Sequence, residues 1–244
     1  MFLEADLHTH TIASGHAFST VKEMIDCAVV RGLKMIAITD HGLNMPDGPH
    51  EYYFSKLLEL PCNFNGVDIL KGVEANIVDI NGNLDMPIQI LENLDLILAG
   101  FHSGTGYQED SVEQNTRALI AAIQHPYVHI ISHPGNPEYP VDLERVVYAA
   151  KMAGKALEIN NSSFSLSRPG SASRCNQLAR LAAKTGTLVS INSDAHNCFM
   201  VGKVDAAVEA AVKAGIKPDQ VLNTSAKFVR EYILSVKRRQ KKIS

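Results

Sequence analysis

The chain has 244 residues, of which 45% are hydrophobic, so it is long enough to bury a large core within one domain. Its formal net charge is -3 and its pI is about 6.4, which excludes a strong overall field for attracting nucleic acid or anionic membrane. No stretch approaches the roughly 20 consecutive apolar residues that span a bilayer, and the first residues lack the pattern of a secretory leader. These features predict a cytoplasmic protein.

The cysteines are few and widely spaced, and none belongs to a Cys-x-x-Cys pair. They are Cys27, Cys62, Cys175 and Cys198. Four widely spaced cysteines are too few to stabilise a fold of this size through disulfides. We therefore expect free thiols in a reducing compartment.

Apolar, β-branched runs alternate with segments of helical period along the whole chain, which is typical of βα units around a parallel sheet. Strands are predicted over residues 2–7, 34–39, 67–73, 94–101, 128–132, 156–159 and 187–192. Helices are predicted over residues 20–31, 111–124, 142–153, 173–185, 204–214 and 225–236. Within residues 77–85, Asn81 and Gly82 between short apolar runs predict a hairpin.

No tandem repeat or linker interrupts this series of elements. We therefore expect one α/β domain over residues 1–236, followed by a basic tail over residues 237–244. The tail contains five lysines and arginines, namely Lys237, Arg238, Arg239, Lys241 and Lys242. Because chain termini are usually solvated, we expect an uninvolved polar segment rather than a contact for RNA or acidic partners.

Metal-capable side chains follow the carboxyl ends of most of the predicted strands. They are His8, His10, Asp40, His41, Glu74, His102, His133, Asp194 and His196. In a closed parallel barrel the carboxyl ends of all strands open on one face, so these side chains are expected to converge. Residues at positions i and i+2 of an extended segment point to the same side, which applies to His8 with His10 and to Asp194 with His196. The pattern predicts one polar cluster.

Burying many imidazoles and carboxylates together is costly unless cations compensate them, which predicts a metal site. The ligand types suit zinc, manganese or iron better than calcium. Because no thiolate is among them, an open catalytic site is favoured over a closed structural zinc site. Three histidines do not share the pattern: His125 and His129 are expected to be structural, and His50 is a candidate on the substrate side.

In its motifs the chain resembles the polymerase and histidinol phosphatase (PHP) superfamily over nearly its whole length. The motifs are Asp6-Leu7-His8-Thr9-His10, Thr39-Asp40-His41-Gly42, Glu74, His102, His133-Pro134 and Ser193-Asp194-Ala195-His196. Two further stretches, at residues 130–137 and 157–164, look like the YcdX-type phosphatase branch of that superfamily. Each motif is weak alone, but all of them in this order are a strong signal.

This resemblance implies a distorted seven-stranded (β/α) barrel, similar to a TIM barrel, that holds three metal ions. Zinc is the expected metal, with manganese or iron as alternatives. Matching positions assigns His8, His10, Glu74 and Asp194 to the first ion, Glu74, His102 and His133 to the second, and His16, His41 and His196 to the third. Only His16 escapes the strand-end pattern, because it lies in the loop after the first strand.

The hypothesis that follows is a phosphatase acting on phosphate monoesters of small molecules. A water molecule shared by two ions would lose a proton near neutral pH and attack phosphorus as hydroxide. Glu74 and Asp194 would act at this centre, and Arg168 is a candidate for a phosphate contact, although a loop arginine that faces water is an equally good interpretation.

Three more polar residues have two interpretations each. Asp40 either orients the imidazole of His41 or serves a cap or turn. Asn160 and Asn161 either line the pocket or cap the segment that follows them.

Two other functions remain open from the sequence. The same ions could serve a phosphodiesterase or exonuclease, but no Lys and Arg cluster marks a nucleic-acid groove outside the tail, so nucleic acid is not an expected partner. A non-catalytic, metal-stabilised binding module is the third possibility, against which the full ligand set argues. No membrane partner is expected, and the resemblance alone points to a homo-oligomer such as a trimer.

Overall fold

Seven parallel strands form the wall of a nearly closed barrel in the computed structural model, which describes residues 1–108, 111–165 and 168–240. Together with one short antiparallel strand, β3, the strands of the described residues are β1 (Ala5–Asp6), β2 (Met35–Ile38), β3 (Asn63–Phe64), β4 (Val67–Asn76), β5 (Leu96–Gly100), β6 (Ile130–Ile131), β7 (Ala156–Asn160) and β8 (Val189–Asn192). Their order is β1-β2-β4-β5-β6-β7-β8, and β3 pairs with β4 in the antiparallel direction. The predicted (β/α) barrel with seven parallel strands is confirmed.

The first and last strands of the barrel meet along a seam held mainly by side chains. One isolated parallel bridge joins Thr9 to Ala195, and the backbone N–H of His10 donates to the Ala195 carbonyl at 2.8 Å. Lower in the seam, Asn223 accepts from the Ile191 backbone N–H at 3.0 Å and donates to the carbonyl of Ala5 at 2.9 Å. A buried asparagine thus supplies the hydrogen bonds that a strand ladder would supply elsewhere.

Helices cover the outside of the barrel. They are α1 (Val21–Val30), α2 (Glu51–Leu57), α3 (Ile88–Leu91), α4 (Val112–Gln124), α5 (Leu143–Ala153), α6 (Ser171–Thr185), α7 (Asp205–Ala214) and α8 (Ala226–Gln240). Each of the six predicted helices is present, whereas α2, α3 and β3 are not predicted from the sequence. Within the described ranges, no helix combines the length and the apolar composition that a bilayer crossing requires.

Helix α1 shows how the sequence places these elements. Thr20 accepts from the backbone N–H of Glu23, and the Glu23 carboxylate accepts from the backbone N–H of Thr20, which forms a capping box. Met24, Ile25 and Ala28 form the buried face against the barrel. Burying Met24 or Ile25 stabilises the fold by roughly 1.5 to 3 kcal/mol each.

The hairpin predicted around Asn81 and Gly82 is present. An antiparallel bridge joins Ile77 to Leu84. The side chain of Asp79 accepts from the backbone N–H of Asn81 at 2.9 Å and so closes the turn.

The last helix continues through the predicted boundary between domain and tail. Helix α8 ends at Gln240 rather than at Val236. Arg239 donates to the carbonyls of Ala153 and Gly154 at 3.0 and 3.2 Å, so this part of the basic segment binds the end of α5. The remaining tail residues, 241–244, lie outside the described residues. All four cysteines are free, as the sequence predicts.

Candidate metal centre

The side chains that follow the strands converge at the carboxyl end of the barrel. His8 and His10 come after β1, and their Nε2 atoms are 3.0 Å apart. The opposite end of the chain contributes Asp194, whose Oδ1 atom lies 3.3 Å from the Nε2 atom of His10. The structure brings together nine side chains, each in contact with at least one other, namely His8, His10, His16, His41, Glu74, His102, His133, Asp194 and His196.

Glu74 lies at the centre of this cluster and is fully buried in β4. Its Oε1 atom is 2.8 Å from His133 Nε2 and 3.3 Å from His102 Nε2. Its Oε2 atom is 3.1 Å from both His8 Nε2 and His41 Nδ1. Burial by itself would raise the pKa of Glu74, but the surrounding imidazoles hold that pKa well below its usual range. The carboxylate therefore lies between two groups of imidazoles.

Two imidazoles are oriented by partners that fix the position of the ring proton. His8 donates from Nδ1 to Glu158 Oε1 at 2.7 Å. His102 donates from Nδ1 to Asn76 Oδ1 at 2.8 Å, and the Asn76 amide is itself oriented because its nitrogen donates to Asp85. Since Nδ1 of both rings donates to these partners, Nε2 is the nitrogen of each ring that faces the cluster.

The same logic applies to two further imidazoles. His196 donates from Nδ1 to the backbone carbonyl of Asp194 at 3.1 Å. Ser14 Oγ donates to Asp40 at 2.7 Å and therefore accepts from His10 Nδ1, which is 3.2 Å away. Such partners on the outer nitrogen are what metal-ligating histidines have almost without exception.

Nitrogen atoms of neighbouring rings face each other at short range inside the cluster. The Nε2 atoms of His16 and His196 are 3.1 Å apart, and those of His102 and His133 are 3.2 Å apart. A hydrogen bond between two imidazole nitrogens uses the lone pair of only one ring, whereas one cation can accept the lone pairs of both. This geometry fits a site for cations.

Three buried polar atoms of the cluster also fit a cation site, because they lack hydrogen-bond partners. Among the described residues, His41 Nδ1, Glu74 Oε2 and Asp194 Oδ1 are buried without a hydrogen-bond partner. Leaving such atoms unsatisfied costs free energy, and divalent cations bound in the cluster would satisfy them. The candidate ligand atoms lie within 4.8 Å of one another in three groups, namely His8, His10 and Asp194; His41, Glu74 and His102; and His10, His41 and His196.

The carboxylate of Asp40 does not orient His41, contrary to one interpretation of the sequence. It accepts from the backbone N–H of Thr11 at 2.6 Å, from Ser14 Oγ at 2.7 Å and from the hydroxyl of Tyr53. Adjacent residues of an extended segment point to opposite sides, so Asp40 and His41 cannot share a direction. Asp40 instead binds Ser14, which accepts from His10. It also stabilises the turn after β1, as the other interpretation of the sequence predicts.

Arg168 lies in the wall of the site with 18% of its side chain exposed. Its Nη1 atom donates to Asp194 Oδ2 at 2.6 Å, which leaves Asp194 Oδ1 directed at the histidines. Burial would raise the pKa of Asp194, but Arg168 and His8 hold that pKa well below its usual range.

A cleft of about 570 Å³ opens next to the cluster. It is lined by His16, His41, Met45, Phe101, His102, Ser103, Asn136, Pro137, Glu138, Arg168, Pro169 and His196.

The two asparagines after β7 have different roles. Asn160 is buried and donates from Nδ2 to Glu158 Oε2 at 2.9 Å and to Asp194 Oδ2 at 3.1 Å. Asn161 instead accepts from the backbone N–H of Ala207 at 3.1 Å, in the first turn of α7. Asn160 therefore belongs to the site, whereas Asn161 binds the first turn of α7, and neither side chain caps the segment that follows.

The histidines outside the cluster have structural roles. His50 caps α2 by accepting from the Tyr52 backbone N–H at 3.3 Å, which replaces the substrate-side role considered for it. His125 follows the last residue of α4 as its C-cap. His129 accepts from the backbone N–H of Ile97 at 3.2 Å and is fully buried.

Three residues of the site are not predicted from the sequence, namely Ser14, Asn76 and Glu158. For the last two, the strand period carries a signal. Asn76 lies two residues after Glu74 and Glu158 lies two residues before Asn160, so each points to the same side of its strand as a polar neighbour. A polar residue inside an apolar barrel strand indicates a partner in the interior. No comparable signal marks Ser14.

The fold and the cluster together define an α/β barrel with a candidate metal centre at the carboxyl ends of its strands. A family model described as PHP domain matches residues 6–162 of the chain. A probable phosphatase of Caldanaerobacter subterraneus subsp. tengcongensis is 51% identical over 237 residues, which cover 97% of this chain and 93% of that protein. A probable phosphatase of Proteus mirabilis is 42% identical over 228 residues, covering 93% of each protein. The chain belongs to the PHP domain family.

A solved structure shows the same fold. The histidinol phosphate phosphatase of Lactococcus lactis subsp. lactis, in complex with zinc, L-histidinol and phosphate, matches with a TM-score of 0.62 at 16% identity. The match covers 89% of this chain and 95% of that chain.

Proposed function

We propose that this protein is a metal-dependent phosphatase that hydrolyses phosphate monoesters of small molecules at a cluster of three divalent ions. The chain is an enzyme of the phosphoric ester hydrolase class, consistent with the probable phosphatases to which it is 51% and 42% identical. The observation that carries the proposal is the convergence of buried, unsatisfied ligand atoms from His41, Glu74 and Asp194 next to a cleft that His41 and Arg168 line.

The contacts support an assignment of ligands to three positions. Oε1 of Glu74 faces His102 and His133, whereas Oε2 faces His8, His10 and His41, so Glu74 would hold ions on both sides. We assign His8, His10, Glu74 and Asp194 to the first position, Glu74, His102 and His133 to the second, and His16, His41 and His196 to the third. The imidazole and carboxylate donors suit zinc, with manganese or iron as alternatives.

Ions held by these residues would supply an activated water near neutral pH and would neutralise charge on the phosphoryl oxygens. The chain itself supplies the geometry. Glu158, Asn76 and Ser14 orient imidazoles through their outer nitrogens, so little reorganisation is needed when substrate arrives.

Arg168 is the residue that we assign to the phosphoryl group. A guanidinium has five N–H donors in a planar fork, so Arg168 can hold Asp194 with one nitrogen and a phosphoryl oxygen with others. Asp194 then serves two purposes, because one oxygen anchors Arg168 and the other is directed at His8 and His10. The substrate phosphate would be placed between the ions and this arginine.

The cleft favours small monoesters over nucleic acid. Of the described residues that line it, Arg168 is the one lysine or arginine, and Glu138 adds a negative charge at the rim. A groove that follows a nucleic-acid backbone needs a row of cations.

The test is a substrate panel with metal analysis. Protein reconstituted with zinc, manganese or iron is assayed for phosphate release from small monoesters and for cleavage of phosphodiesters and single-stranded DNA. We expect about three metal equivalents per chain and turnover of monoesters. Glu74→Gln is expected to abolish turnover. Activity on DNA alone, or a folded protein that takes up metal without hydrolysing any ester, would contradict the proposal.

A further inference from the structure

Glu158 is a buried carboxylate in β7 that belongs to none of the three ligand groups. Four hydrogen-bond donors surround it, two at each oxygen. At Oε1 these are His8 Nδ1 at 2.7 Å and Asn192 Nδ2 at 2.8 Å. At Oε2 they are the backbone N–H of His133 and Asn160 Nδ2, both at 2.9 Å. Every lone-pair direction of the carboxylate is therefore used.

The two oxygens of Glu158 act on ligands of two different metal positions. Through Oε1, Glu158 fixes the proton of His8 on Nδ1 and so directs Nε2 at Glu74. Through Oε2, it holds the backbone of His133, whose φ of 29° lies in the left-handed region that residues other than glycine rarely adopt. That conformation persists only because surrounding contacts enforce it.

We propose that Glu158 is a positioning residue that aligns His8 and His133 together and so couples two metal positions. The inference rests on the proposed function, because it concerns residues that we assign as ligands. It adds a residue that contacts no ion itself and that sets how strongly two ligands bind.

An amide cannot replace this carboxylate, because all four neighbours donate. If the amide nitrogen of Glu158→Gln takes the place of Oε1, His8 must move its proton to Nε2, where the lone pair for a metal is needed. If it takes the place of Oε2, it meets the backbone N–H of His133, which cannot be reversed. Asn192 cannot turn over to compensate, since its oxygen accepts from the backbone N–H of Leu7 and from Ser190.

The test compares zinc affinity between the wild type and Glu158→Gln by competition with a chelator. We expect a loss of roughly 10- to 100-fold in the variant, as is typical when the partner of a metal-ligating histidine is removed. Asp95→Asn is the matched control, because Asp95 also accepts a backbone N–H, from Lys71 at 3.0 Å, but contacts no ligand. The control is expected to bind zinc like the wild type.

A second measurement needs no variant. In the zinc-loaded wild type labelled with ¹⁵N-histidine, His8 is expected to show a proton on Nδ1, shifted downfield by its hydrogen bond to the carboxylate. A proton on Nε2, or unchanged zinc affinity in a folded Glu158→Gln protein, would overturn the inference while leaving the phosphatase proposal standing. A wild type that takes up no zinc would overturn both.

Discussion

Arg168 Nη1 lies 2.6 Å from Asp194 Oδ2, so a largely buried arginine is held in place by a carboxylate that faces the histidine cluster with its other oxygen. The pair is nearly shielded from solvent, with exposed side-chain fractions of 18% and 2%. A guanidinium held this way is oriented before substrate binds, which is the condition for effective electrostatic stabilisation of a transition state.

We expect Arg168→Gln to lower kcat/KM for phosphate monoesters by about 10- to 100-fold, because a hydrogen bond between charged groups is worth roughly 1.5 to 3 kcal/mol. Zinc content should stay the same, since Asp194 Oδ1 keeps its direction. Steady-state kinetics and metal analysis check both points. Arg145→Gln is the control, because Arg145 pairs with Glu113 on the exposed outer surface. Equal kcat/KM in the two variants would remove Arg168 from the mechanism.

Metal removal should destabilise the protein, because the buried atoms His41 Nδ1, Glu74 Oε2 and Asp194 Oδ1 then have no partner. At a free zinc concentration 100 times Kd, binding adds about 2.7 kcal/mol to the free energy of unfolding. Thermal melts before and after dialysis against a chelator measure the loss. Zinc should restore the melting temperature better than magnesium, which prefers oxygen ligands. An unchanged melting temperature after verified metal removal would speak against a metal centre.

His129 predicts how stability depends on pH. Burial, and then the charge of Lys155, lower the pKa of His129 to about 3, whereas an unfolded histidine titrates near 6.5. Between these values the unfolded chain binds a proton that the folded chain does not. The free energy of unfolding therefore falls as the pH drops below about 6.5, by at most ~1.4 kcal/mol per pH unit from this residue.

His129→Asn should make that loss shallower between pH 6 and pH 4, because asparagine keeps an acceptor for the Ile97 backbone N–H but cannot take up a proton. Urea unfolding at several pH values provides the slopes. His50→Asn is the control, since His50 is exposed and asparagine is a good helix cap in its place. The same slope for all three proteins would refute this source of pH dependence.

Tyr53 is expected to stabilise the loop that carries His10. Burial, and then the charge of Asp40, raise the pKa of Tyr53, so its hydroxyl stays protonated and donates to that carboxylate. Tyr53→Phe should lower the free energy of unfolding by roughly 1.5 to 3 kcal/mol, the value of a hydrogen bond to a charged group. Tyr148→Phe, at an exposed position, should have little effect in the same urea titration. A smaller loss for Tyr53→Phe than for the control would contradict the role.

The fold and the face of the site could be predicted from the sequence, because hydrophobic period and strand ends are local properties. The alternation of apolar runs locates seven strands, and the polarity of a parallel barrel then places His8, Glu74 and Asp194 on one face. Helix α2 escaped prediction because its seven residues are too few to show a clear period.

The partners of the ligands could not be predicted in the same way. Which nitrogen of His8 carries a proton depends on Glu158, 150 residues away in sequence, and on a hydrogen bond that only the closed barrel creates. The proximity of Asp40 to His41 in sequence was misleading, because consecutive residues of an extended segment face opposite ways. Hydrogen-bond partners are a property of the assembled barrel.

The seam between β1 and β8 has a consequence for biosynthesis. His8 and His10 are synthesised before Asp194 and His196, which are added more than 180 residues later and are followed by the Asn223 that closes the seam. The nascent chain therefore cannot bring Asp194 beside His8 and His10 until Asp194 has been synthesised and the seam has closed. A ribosome that stalls before Asp194 therefore releases a fragment in which His8 and His10 lack the carboxylate that lies beside them in the folded chain.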